Sequence, residues 1–184
     1  VLDPRFQIPQ WKVEASAVAA LRIQLYRVHP ADYFKYRAYE QSGRKGTPPG
    51  TLVYDHQHAI GPRHAGTARV DLRPALDPTA QVGHVIGVAT SIGAKRNDSA
   101  TTTAWIQVTK LGVTARFDAE SVQAWASQID PARFLAPVGG AETTLIVDGR
   151  SERPAKTADD LGRATLEFPP PVLPTPKRRA QAVL

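Results

Sequence analysis

Two histidines spaced two residues apart are the strongest candidates for metal chemistry in this sequence. His56 and His58 follow Asp55, with His64 and His84 further along the chain. In a β-strand, residues i and i+2 point to the same face, so His56 and His58 can offer two imidazoles to one metal ion. A regular strand turns Asp55 to the opposite face, which leaves the pair without a carboxylate. We therefore interpret the segment as a polar outer face near a sheet edge and assign no metal ligand.

The other side chains with chemical potential have simpler structural interpretations. Trp105 and Trp125 are candidate stacking platforms for sugars or bases, but Trp in an alternating strand usually belongs to the core. Asp159 and Asp160 precede Gly162 in loop-like sequence. Paired carboxylates in such a position more often form a turn than perform acid–base catalysis.

Motifs of the common enzyme classes are missing from the sequence. Residues 43–47, Gly-Arg-Lys-Gly-Thr, contain Gly and Lys without the spacing of a phosphate-binding loop, and no helix pattern follows them. There is no Gly-x-Ser-x-Gly and no His-Glu-x-x-His. The chain has no Cys, which excludes thiol nucleophiles, disulfides, zinc thiolates and iron–sulfur clusters. We therefore predict a protein that is not an enzyme, with no catalytic residue, no cofactor and no metal site.

Composition indicates a folded protein. Among 184 residues, 42% are apolar and 22% are charged, and no apolar run is long enough to span a bilayer. The missing Met predicts a chain that was processed or excised from a longer one. Although the net charge is +6, the cations are scattered, and the tight cluster Lys177-Arg178-Arg179 lies in a Pro-rich tail. We predict no nucleic-acid partner and no direct contact with a membrane.

Short alternating segments separated by Gly and Pro predict an all-β chain with one short helix. Asp32 is a candidate cap for a helix over residues 33–41. Residues 82–91 are rich in Val and Ile, which favours a central strand buried on both faces. Strands are predicted at residues 21–26, 51–60, 66–72, 82–91, 101–109, 111–117, 121–126, 142–147 and 163–168.

This pattern predicts two small antiparallel β-sandwiches of the fibronectin or immunoglobulin type, with the helix in the first. Residues 1–11 are predicted to be an extended lead-in. Residues 12–109 form the first sandwich, and residues 110–168 form a second, smaller one. Residues 169–184 are predicted to be a Pro-rich basic linker.

The order of several strand motifs resembles that of bacterial alpha-2-macroglobulins. Residues 103–113, Thr-Ala-Trp-Ile-Gln-Val-Thr-Lys-Leu-Gly-Val, are similar to a family strand of the form Trp-x-Gln-Val-Thr-x-Leu-Gly. Next come an apolar strand with a Trp at residues 122–125, an apolar strand within 137–146, and a turn at residues 157–166 that is one residue longer than the family form. The loop at residues 130–140 departs from the family pattern.

The part before residue 103 is similar to the preceding module of the family. The segment Leu25-Tyr-Arg-Val28 is followed by an aromatic-rich helix, by Val70-Asp-Leu72 and by Gly83-His-Val-Ile86. The resemblance therefore extends from about residue 12 to residue 168.

Members of this family are large secreted or periplasmic protease traps, in which macroglobulin domains form a frame around a bait region. A protease that cuts the bait makes the frame collapse around it. The resemblance implies a non-catalytic frame segment that contacts the remaining domains of its parent chain, with target proteases as indirect partners. It also implies an extracytoplasmic location, whether periplasmic, lipid-anchored or secreted. No bait segment is recognisable, and without Cys the family's thioester Cys-x-Glu-Gln lies outside this chain.

Two other classes of protein remain as alternatives. A cell-surface adhesion or carbohydrate-binding sandwich predicts Trp side chains exposed on a sheet face or in a loop. A periplasmic hydrolase domain is disfavoured because no nucleophile–base motif is present.

Overall fold

The computed structural model describes residues 8–60, 65–93, 100–129, 136–147, 150–156, 160–167 and 181–183. These residues form antiparallel β-sheets and one short α-helix. The chain divides into two compact units, and the division along the chain falls between Thr109 and Lys110. Within the residues named above, no helix combines the length and apolar character needed to cross a membrane.

The elements of the first unit come first along the chain. They are β1 (Gln10–Ser16), β2 (Ala20–Val28), α1 (Tyr33–Gln41), β3 (Thr51–Ala59), β4 (Ala65–Asp71), β5 (Gly83–Ile92) and β6 (Thr101–Val108). The larger sheet has the order β3-β2-β5-β6, and β1 pairs with β4 in a second sheet. Residues of α1 from Tyr36 onward belong to this unit.

Alternation along β2 produces the core of the first unit. Ile23 and Leu25 are 0% exposed, and they pack with Val85 of β5 and Val70 of β4. The intervening Arg22 points away from this core and is exposed. The predicted half-buried strand is therefore confirmed, and its inner face is covered by the β1–β4 sheet.

Strand β5 is buried on both faces, as its Val and Ile content predicted. Val85 and Ala89 belong to the core between the two sheets. Ile86 and Val88 point to the opposite face and are also buried, at 0% and 4% exposed. A strand covered on both sides needs no polar face, which explains why its sequence does not alternate.

Strand β1 corrects the predicted extended lead-in at residues 1–11, because Gln10 and Trp11 are already part of a strand. Its pairing runs from Gln10 opposite Asp71 to Ser16 opposite Ala65. The side chains of Trp11 and Val13 pack against the core. Local sequence does not reveal this strand, because its partner lies about fifty to sixty residues further along the chain.

The side chain of Trp11 covers a glycine of the central strand β5. A Cβ atom placed on Gly87 of β5 would lie 2.6 Å from the six-membered ring of Trp11. Real Cβ atoms do not approach so closely, so this contact requires glycine at position 87. The indole of β1 therefore lies directly on the backbone of β5, and the two sheets meet at this point.

The predicted helix is confirmed over its full span, Tyr33–Gln41. Tyr36 is its buried residue, while Tyr33 and Tyr39 are half-buried. The predicted cap is wrong in one respect, since the side chain of Asp32 makes no capping hydrogen bond. Its carboxylate instead accepts a hydrogen bond of 3.0 Å from the backbone N–H of His29.

The second unit also contains two sheets. Its elements are β7 (Leu111–Phe117), β8 (Ser121–Gln128), β9 (Glu142–Val147), β10 (Arg150–Lys156), β11 (Arg163–Glu167) and β12 (Gln181–Val183). The orders are β11-β8-β7 and β10-β9-β12. Val122 and Ala124 of β8 pack with Leu145 of β9 and Leu166 of β11. The predicted fold class, an all-β chain of two small antiparallel sandwiches, is confirmed.

Two strands of the second unit were not predicted. Residues 151–160 are polar in sequence and predict no strand, but Arg150–Lys156 forms β10, which pairs with β9. Residues 169–184 were interpreted as a linker, but Gln181–Val183 forms β12 on the other side of β9. Both strands lie at sheet edges, where backbone pairing with one neighbour does not require an apolar alternation. The remainder of the Pro-rich segment, residues 169–180 and 184, lies outside the described residues.

The contact between Trp11 and Gly87 generates a stability prediction. We expect Gly87→Ala to destabilise the protein by about 1–3 kcal/mol, because the added methyl group overpacks the ring. Urea unfolding followed by circular dichroism measures the loss of stability.

In a Trp11→Leu background the same substitution should cost under about 1 kcal/mol, since the six-membered ring is gone. Gly112→Ala is the matched control, because a Cβ there would have ordinary contacts no closer than 3.4 Å. An equal cost for Gly87→Ala in both backgrounds would contradict this account.

The two separate cores generate a second prediction. Leu25→Ala and Leu145→Ala each remove a side chain that is at most 1% exposed, so each should cost about 2–5 kcal/mol. If the units fold independently, each substitution lowers the unfolding midpoint of its own unit and leaves the other unchanged. Amide hydrogen exchange, measured residue by residue, reports the stability of each unit separately. Loss of protection across both units in either variant would refute independent folding.

Candidate functional site

The histidines of β3 lie on one face, as their spacing predicted. Their register places His56 opposite Ile23 and His58 opposite Leu21, so both point to the inner face at the edge of the sheet. Tyr54 shares that face, and its hydroxyl lies 2.8 Å from Nε2 of His58. The rings of Tyr54 and His56 are 4.6 Å apart. His56 is exposed and His58 half-buried, so the polar character and the position at a sheet edge agree with the prediction, while the register places the pair on the inner and not the outer face.

Asp55 points to the opposite face from the histidines and forms an ion pair there. Arg22 donates from Nε to Oδ1 of Asp55 at 2.8 Å and from Nη2 to Oδ2 at 2.6 Å. Gln24 adds a hydrogen bond of 3.0 Å to Oδ2. The hydrogen bond from Arg22 is the main reason that the pKa of Asp55 falls from its ordinary value of 3.8 to about 2. This carboxylate is therefore a structural partner on the sheet surface.

Most of the remaining candidates lie outside the part of the chain that the structure describes. His64, Asp159 and the cluster Lys177-Arg178-Arg179 lie outside the described residues. Asp160 is exposed in a turn. Across the part of the chain that the structure describes, no group of three or more His, Cys, Asp or Glu side chains could hold a metal ion.

An aromatic cluster covers the outer face of the larger sheet of the first unit. The ring of Trp105 on β6 lies 5.6 Å from the ring of Tyr36 on α1 and 5.6 Å from the ring of His84 on β5. Burial lowers the pKa of His84, so its imidazole is held in the neutral form. His84 therefore packs on Trp105, the same ring that contacts Tyr36 of α1.

Polar contacts along β6 complete the attachment of α1 and the loop that follows it. The hydroxyl of Tyr36 donates to Oγ1 of Thr103 at 3.4 Å, and Thr103 donates to the carboxylate of Glu40 at 2.8 Å. Arg44, beyond the end of the helix, donates from its guanidinium to the backbone carbonyl of Thr101. Alternate residues of β6 thus hold the helix and the loop.

The prediction that both strand Trp residues belong to the core is wrong. Trp105 and Trp125 are half-buried and are not among the buried core residues. In β8 the buried positions are Val122, Ala124 and Ala126, so Trp125 points to the other face. In β6 it is Ile106 and Val108 that contact the core. The period of a strand places Trp105 and Ile106 on opposite faces, but the local sequence does not show which of the two faces is the inner one.

Three crystal structures of alpha-2-macroglobulin from Escherichia coli resemble this chain. The native protein spanning domains MG0-NIE-MG1 matches with a TM-score of 0.58 and 18% identity, over 88% of this chain and 52% of that one. The native protein spanning NIE-MG1 matches with a TM-score of 0.57 and 19% identity, over 86% of this chain and 78% of that one.

The third structure is the trypsin-activated protein, which matches with a TM-score of 0.62 and 18% identity, over 92% of this chain and 12% of that one. The chain has the fold of these alpha-2-macroglobulin segments. The fold that the motif order implied is therefore confirmed. The chain spans about half the length of the MG0-NIE-MG1 structure and a small part of the activated one. No protein-family model matches the sequence, and no curated protein sequence matches it.

The ion pair on the sheet surface generates a pH prediction. Because the pKa of Asp55 is lowered to about 2 in the folded protein, its contribution to stability is present above its ordinary value of 3.8 and is lost as the pH falls through about 2. Carbonyl-detected NMR titration should show this low pKa directly. In Arg22→Gln the pKa should return toward its ordinary value, while Arg69→Gln, which removes a charge elsewhere, should leave it unchanged. An unaltered Asp55 titration in Arg22→Gln would rule out the pairing.

Proposed function

We propose that this chain is a frame segment of a bacterial alpha-2-macroglobulin-like protease inhibitor and that it has no catalytic role. The observation that carries the proposal is the shared fold over 86–92% of the chain with three structures of one protein, across both units. The ordered strand motifs of the sequence support the same family independently of the coordinates.

The two units of this chain can be matched to two named domains of the Escherichia coli protein. The NIE-MG1 structure is matched over 78% of its length, which is enough to include parts of two domains. We assign the first unit to the NIE position and the second unit to the MG1 position, following chain order. This assignment refines the interpretation of the chain as two macroglobulin-like modules.

The described residues suit a structural role. Two of the candidate site residues are engaged with neighbours, Asp55 with Arg22 and His58 with Tyr54. Each unit has its own packed core, and a close-packed core moves as a rigid body when a larger assembly changes shape. An extracytoplasmic location, periplasmic or secreted, is part of the proposal, since proteases from outside the cell would be encountered there.

The full-length parent protein tests the proposal. A trap encloses a protease without blocking its active site, so trypsin mixed with the parent should lose activity on casein while keeping it on a small peptide substrate. Small-angle scattering should show a decrease in the radius of gyration of the parent when trypsin is added. The isolated 184-residue chain is the control, and it should protect neither substrate.

Two outcomes would contradict the proposal. Equal inhibition on both substrates would indicate an inhibitor that blocks the active site. Hydrolysis of any substrate by the isolated chain would contradict the non-catalytic role.

A further inference from the structure

A polar groove lies on the outer face of the first unit, beside the aromatic cluster of α1. Its floor is formed by outward-pointing residues of three strands, among them Gln24, Tyr26, Thr90 and Thr101. Its wall is formed by the end of α1 and by the loop over residues 43–48. The volume is about 440 Å³, within the range of about 300–1,000 Å³ that is usual for small-ligand sites.

Arg44 brings a positive charge into this groove from a left-handed backbone position at the end of the helix. Its φ is +62°, in the left-handed region that side-chain-bearing residues rarely adopt. The preceding Gly43, with φ +75°, already provides the left-handed residue that ends the helix. The backbone N–H of Arg44 donates to the carbonyl oxygen of Tyr39 at 3.0 Å, so Arg44 takes part in the helix cap and its backbone position beside the groove is fixed.

The side chain of Arg44 is held in place while keeping donors for a ligand. One guanidinium nitrogen donates to the backbone carbonyl oxygen of Thr101. A guanidinium has five N–H donors, so this single bond leaves the planar group able to bind a carboxylate. Among the lining residues that the structure describes, Arg44 is the one with a formal charge.

The rest of the lining is rich in hydroxyl and amide groups. The hydroxyls of Thr90 and Thr101 lie 3.2 Å apart on the floor. Burial raises the pKa of Tyr26 and Tyr39, so both phenols stay protonated and can donate hydrogen bonds at neutral pH. Gln24 is oriented by its bond to Asp55. Such a surface matches a ligand that carries many hydroxyl groups.

We propose that this groove binds a sugar that carries a carboxylate. Arg44 binds the carboxylate, and the threonine and tyrosine hydroxyls bind the sugar hydroxyls. A peptide side chain would need apolar surface, and Val88 and Pro48 are the main apolar residues among the described lining. This binding does not depend on the frame role, because it uses only the outer face of the first unit.

The experiment is an NMR titration of the full chain with digalacturonic acid, using the matching neutral galactose disaccharide for comparison. We expect amide shifts at Thr47, Thr90 and Thr101 with the acidic sugar, and at least a tenfold weaker affinity for the neutral one. Arg44→Gln should weaken binding of the acidic sugar at least tenfold. Lys45→Gln is the matched control, because it removes the same charge from the neighbouring position outside the lining, and it should keep the affinity within twofold.

A second variant guards against a disturbed loop in Arg44→Gln. Tyr39→Phe removes one hydroxyl and no charge, so it should weaken both sugars by a similar, smaller factor. The proposal is overturned if neither sugar shifts the groove amides, if Arg44→Gln and Lys45→Gln weaken binding equally, or if an acidic peptide binds the groove and digalacturonic acid does not.

Discussion

The burial of one apolar sheet face against another is the interaction on which the rest of this structure depends. In the first unit, the fully buried Ile23 and Leu25 line the inner face of a four-stranded sheet, and the two-stranded sheet covers them. Trp11 contacts the central strand at Gly87, where the absence of a Cβ lets the indole approach the backbone. A small β-unit has no other way to remove its apolar residues from water.

Because the inner faces of the sheets carry the apolar core residues, the polar and aromatic groups lie on the opposite faces. That consequence is visible on β6, where Thr101, Thr103 and Trp105 alternate with the core residues Ile106 and Val108. The outward residues attach α1 and its following loop through hydrogen bonds and ring contacts. The groove exists because the loop is held above the sheet and does not fill it.

The proposed frame role and the proposed ligand groove make compatible demands on this fold. The frame role uses the interior, where dense packing resists deformation. The groove uses the outer face of the same sheet, where side chains can differ without disturbing the core. Any chemistry in this chain is therefore expected on its outer faces and loops, as in other proteins in which a rigid scaffold carries variable surfaces.

The sequence by itself determined the class of fold and the position of most elements. Alternating apolar residues located β2, and the helix at Tyr33–Gln41 was predicted over its full length. These are local properties, because the side-chain period of a strand or helix can be seen within a few residues. Only the tertiary structure decided that β10 and β12 are strands, that Trp105 and Trp125 face outward, and that residues from three strands and a loop form one groove. Pairing partners and the inner face depend on segments distant in the chain, and no local period contains that information.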